Sequence, residues 1–71
     1  MRKDLVKKFH NKAISKFTDV SDIITVTDKD DKSSCLGFTY GSTKIYYHDG
    51  SECMVIDNGV SEPREIGLYE L

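Results

Sequence analysis

Residues 35–57 read CLGFTYGSTKIYYHDGSECMVID, and this stretch decides the fold. Gly41-Ser42 and Asp49-Gly50 are dipeptides suited to tight hairpins, because glycine reaches positive φ without steric penalty. Counting back from each turn sets Phe38 opposite Ile45 and Leu36 opposite Tyr47, then Ile45 opposite Met54 and Thr43 opposite Ile56. Three strands, at about 35–40, 43–48 and 51–57, then share one apolar face. A slip of one residue would scatter that face across both sides. The inward side holds Leu36, Phe38, Tyr40, Ile45, Tyr47, Met54 and Ile56. The outward side holds Cys35, Gly37, Thr39, Lys44, Tyr46, His48, Ser51, Cys53 and Val55. On it Tyr46, Cys53 and Val55 adjoin; an apolar patch on a small domain usually becomes covered, by a second subunit, which makes it a candidate dimer interface, or by the C-terminal Ile66, Leu68 and Tyr69.

Outward from the meander, residues 4–17 read as one amphipathic helix. Leu5, Val6, Phe9, Ala13, Ile14 and Phe17 recur at helical spacing, and that apolar arc is expected to cover the inward face of the sheet. Asp4 is placed as its N-cap. Ile23-Ile24-Thr25-Val26-Thr27 is rich in β-branched residues and reads as a further strand. Asn58-Gly59 is another turn signal. Pro63 interrupts any ladder after it, leaving 64–71 as a short edge strand or one helical turn. The fold expected is α+β, an N-terminal amphipathic helix packed on an antiparallel meander of three to four strands, with 1–71 a single domain.

Such a chain buries only about 60% of its unfolded surface, so its core is marginal without a staple. Cys35 and Cys53 are the two cysteines, with no CxxC pair. No apolar run follows Arg2 and Lys3 as in a secretory signal, and none is long enough to span a bilayer. The expectation is a cytoplasmic protein with reduced thiols, no membrane association and a partner subunit as its staple.

The net charge of −2 conceals an asymmetry: residues 1–17 carry six bases and one acid, residues 18–71 four bases and eleven acids. Lys8, Lys12 and Lys16 form an i, i+4, i+8 stripe and are the candidate anion contacts. Such a stripe can track a phosphate backbone. It has no interleaved aromatic for base stacking, and the chain as a whole is acidic. Neutralisation of the lysines by the acidic half is the simpler reading, and nucleic acid is the alternative partner.

The acidic segment 28–34 lacks the glycine at the sixth place and the glutamate at the twelfth of a calcium loop. Cys35, His48, Ser51 and Cys53 share the outward face, but zinc normally takes three or four ligands and a flat sheet offers no oxyanion donor. His10, at the helix margin, reads as a surface residue. P-loop, GxGxxG, HExxH and GxSxG patterns are missing. The sequence therefore points to no enzyme, no cofactor and no metal.

The lysine-rich helix from Asp4 to Phe17, followed by the meander quoted above, resembles the small Bacillus prophage protein family YopT, which is unrelated to the effector protease of the same name. The resemblance covers nearly the whole chain and implies one helix, three strands, a homodimer and no assigned activity. It carries over no functional residues. Reading Ile23 to Thr27 as a fourth strand departs from it. The function expected is that of a small non-enzymatic accessory or interaction protein acting as a homodimer, with an unidentified protein partner.

Overall fold

In the computed structural model, residues 3–27, 34–47 and 54–71 are described. The order is helix α1 (Lys3–Lys16), strands β1 (Ile24–Thr27), β2 (Ser34–Tyr40), β3 (Thr43–Tyr47), β4 (Met54–Asp57) and β5 (Arg64–Ile66), and a 3-10 turn (Leu68–Glu70). The strands form one antiparallel sheet in chain order, β1-β2-β3-β4-β5. The architecture is α+β, with α1 packed against one face and contributing Val6, Phe9 and Ala13 to the core. Both alternatives for the C-terminal segment are realised, a short strand and then a single turn.

Phe38 stands opposite Ile45 and Tyr40 opposite Thr43, so Gly41-Ser42 closes the β2–β3 hairpin, with Gly41 at φ 55°. The β3–β4 register differs from the expected one. Ile45 faces Ile56 and Tyr47 faces Met54, a displacement of two residues. An even displacement leaves every side chain on its expected face, which is why apolar alternation alone cannot distinguish the two registers. The Asp49-Gly50 turn, which would choose between them, lies outside the described residues.

The core between α1 and the sheet is Val6, Phe9, Ala13, Phe38, Ile45, Tyr47, Met54, Ile66 and Leu71. Leu36, Tyr40 and Ile56 border it, so the inward face is the one the alternation marks. Two details of α1 differ from expectation. Asp4 sits inside the first helical turn, where its carboxylate still favours the positive end of the helix dipole. Ile14 is 54% exposed, because it lies at the edge of the apolar arc, beyond the part the sheet reaches.

The link from α1 to β1 is fastened at several points. The Phe17 ring stacks on Tyr40 with centroids 4.1 Å apart. Val20 forms a bridge with Tyr40, and the Ser21 N–H donates to the Thr39 carbonyl at 2.8 Å. The Thr39 N–H donates to Ser21 Oγ at 2.9 Å. Between the Val20–Tyr40 and Ile24–Gly37 pairs, the first strand advances four residues while the second advances three. One extra residue is thus accommodated in 21–23, as at a β-bulge. Farther on, Asn58 Oδ1 accepts from the N–H groups of Val60 and Ser61 at 2.9 and 3.0 Å, and Gly59 takes φ 76°. This turn reverses the chain into β5.

Candidate interaction surfaces

Among the described residues, a meander in chain order leaves two free edges, β1 and β5. β5 has three residues, follows Pro63, begins with Arg64-Glu65 and is succeeded by the 3-10 turn. Short length, charge and proline are the usual means of blunting an edge. β1 reads Ile-Thr-Val-Thr, with neither charge nor proline, and Ile24 is 43% exposed. An open groove beside it is lined by Ile24, Thr25, Val26, Thr27, Thr39 and Lys44.

The hydrogen bonds of Thr39 show which groups of β1 are free for pairing. Both the N–H and the C=O of Thr39 are directed at Ser21, on the β1 side of β2. In an antiparallel ladder that direction alternates residue by residue. Gly37 and Cys35 therefore also point toward β1, and their opposite residues, Ile24 and Val26, bond back to β2. Thr25 and Thr27 are left directing N–H and C=O away from the sheet.

The same alternation explains Gly37. Its pair with Tyr46 is of the non-hydrogen-bonded kind, in which the chains approach most closely. A Cβ on Gly37 would lie 2.5 Å from the Ile45 carbonyl oxygen and 2.7 Å from Tyr46 Cβ, so only glycine fits without a shift.

The outward patch is not an open surface. Tyr46 is 8% exposed and Val55 7%, and with Val26 and Cys35 they form a second, smaller core within one chain. Cys53 lies outside the described residues. The exposure on which the candidate interface at Tyr46, Cys53 and Val55 rested is thus lacking at the first and last of these. Strands β2 to β4 alone would leave this face open, but β1 widens it and brings Val26 beside Cys35. Cys35 is buried, and its Sγ donates to the Val26 carbonyl oxygen at 3.4 Å. Ser51, His48 and the calcium-type segment 28–33 lie outside the described residues. Among the described residues no group of three His, Cys, Asp or Glu side chains could hold a metal ion.

The lysine stripe is divided. Lys8 and Lys16 are exposed, but Lys12 is half-buried, its Nζ donating to the Leu68 carbonyl at 2.9 Å. It ties α1 to the C-terminal turn, a role invisible across 56 residues of sequence separation. Among the described residues the one ion pair joins Arg64 and Glu70, so no described acid of residues 18–71 pairs with the stripe. His10 is likewise not a plain surface residue. Its Nε2 donates to the Ser21 carbonyl at 2.8 Å, and its ring meets Phe38 edge-on with centroids 5.1 Å apart. An i+28 aromatic contact and a bond to a loop carbonyl leave no periodic trace in sequence. No helix of the described residues is long and apolar enough to cross a membrane.

Comparison with known proteins gives no family to place beside this geometry: no family model, curated protein or solved structure matches the chain.

Proposed function

We propose that this protein is a small non-enzymatic accessory protein of the prophage type, acting by association and not by chemistry, and that it works as a homodimer. The observation that supports this reading is the unblunted β1 edge, with exposed Ile24 and outward-directed backbone groups at Thr25 and Thr27. An edge of that kind is a template for another strand. Sedimentation equilibrium tests it: a dimer is expected at about 100 µM, where mass action favours association. A single monomeric species at that concentration overturns the proposal.

A second reading, a weak nucleic-acid-binding module, is favoured by one observation: Lys8 and Lys16 are exposed and have no carboxylate partner among the described residues. Mixed-sequence DNA or RNA would then bind at low salt, with a log–log salt slope of about −2 for two phosphate contacts. Lys8→Gln with Lys16→Gln should remove that binding and leave the fold unchanged. Absence of binding at low salt rejects it.

A further inference from the structure

We propose that a second copy of this chain adds its β1 to the β1 edge, antiparallel about a two-fold axis through Thr25, to make one continuous sheet. The inference rests on the homodimer reading and specifies where and in what register the two copies meet.

The argument begins with the direction of the backbone groups. Thr25 and Thr27 present N–H and C=O at the open edge, so any strand added there bonds to these residues. A two-fold axis normal to the sheet keeps the same face upward in both copies. Opposed residues must then belong to the same face, since a strand's side chains alternate with period two. Within β1 only two registers satisfy this. In the first, Thr25 faces Thr25 of the second copy, and Ile24 faces its Val26. In the second, Val26 faces Val26, Thr25 faces Thr27, and Ile24 has no opposite residue within the strand.

Ile24 decides between them. It is the exposed apolar side chain of β1, on the face that carries Val26, Tyr46 and Val55. The Thr25-centred register places Ile24 against an apolar side chain twice, once on each side of the axis. It also extends the small second core of each copy across the junction. Two hydrogen bonds form at the axis, between the two Thr25 residues, because their free groups make them a hydrogen-bonded pair.

The helix face supports the same assembly. His10 bonds to Ser21, which lies on the β1 side of β2, so the margin of α1 bearing His10 faces β1. Ile14 is four residues further on and shares that margin. Its exposure therefore falls on the side where the second copy would lie, with both helices on the same face of the joined sheet. The two apolar side chains that the core leaves uncovered in α1 and β1 are thus gathered toward one edge. No charge or proline of β1 opposes a second strand.

Cross-linking in the full chain reads the register. Directly opposed hydrogen-bonded residues have Cα atoms about 5.5 Å apart, within the span of a disulfide. Thr25→Cys should therefore form a covalent dimer on mild oxidation, the linkage being assigned by mass spectrometry of a digest, with the unaltered chain as blank. Thr27→Cys should not, since the two residues 27 would be offset along the strands by about 14 Å. Thr25→Pro should weaken dimerisation roughly tenfold or more in sedimentation, because it removes an edge N–H that β2 does not use. A dimer that neither cross-links at residue 25 nor responds to the proline overturns this inference while the homodimer reading stands. Equal cross-linking at 25 and 27 overturns the register. A monomer throughout overturns the homodimer reading itself.

Discussion

β1 and β5 hold equivalent places at the two ends of one sheet, yet they are finished differently. β5 is three residues long, preceded by proline, opened by Arg64-Glu65 and tied beyond its end by the Lys12 bond to Leu68. β1 is four uncharged residues, three of them exposed, with no element beyond it among the described residues. Strand propensity is high where the edge is open and low where it is closed. A sheet needs protection only where another strand could add, and charge and proline supply it at one end alone. The difference leaves β5 blunted and β1 the edge with no such protection.

The strongest way to break the comparison is to remove what both edges share. Phe38→Ala should cost about 3–5 kcal/mol in urea unfolding, since the ring is fully buried and touches His10 of α1. At that cost a domain this small loses both edges together. If one edge survived, measured by residue-resolved hydrogen exchange, the sheet would not be one cooperative unit.

Next, Gly37→Val acts nearest β1. The added atoms meet the Ile45 carbonyl and the Tyr46 Cβ, and overpacking of this kind costs about 1–3 kcal/mol. Exchange should accelerate in β1 more than in β5.

Lys12→Met is the corresponding change at the other end. It keeps the apolar stem and loses the hydrogen bond to Leu68, for about 0.5–1.5 kcal/mol. The amides of the C-terminal turn should exchange faster while those of β1 are unchanged.

In dilute protein, where any dimer dissociates, β1 amides should alternate: Ile24 and Val26 protected, Thr25 and Thr27 fast. Uniform protection along β1 would falsify the assignment of its free groups. The smallest effect belongs to Arg64→Ala. The Arg64–Glu70 pair is 3.4 Å long and largely solvent-exposed, so its removal should change stability by at most about 1 kcal/mol, less at high salt.

Much of this fold is legible along the chain. The faces of β2 to β4 follow from alternation, and the first hairpin from Gly41-Ser42. Ile23 to Thr27 marks β1 within a residue through its β-branched side chains. The β3–β4 register was illegible because two registers two residues apart share the same faces. β5 has too few residues to carry a period. The surfaces were harder still. Tyr46 and Val55 read as an exposed patch because it takes the pairing of β1 with β2 to show that Val26 and Cys35 join them in a core. Lys12 read as one of three equivalent lysines because its partner is a backbone carbonyl, which no side-chain pattern encodes. The open edge at β1 depends on strand order, and strand order is a property of the whole meander.

That strand order has a kinetic consequence. Each pairing joins strands adjacent in the chain, across connections of two to six residues, so no early step must close a long loop. Loop-closure entropy is small for such pairings, and proteins dominated by local contacts fold fast for their class. The sheet can assemble hairpin by hairpin, while the bond from Lys12 to Leu68, spanning most of the chain, has to wait for its completion. Newly made β1 would then present its outer edge from the moment β2 pairs with it, before the C-terminal turn is in place.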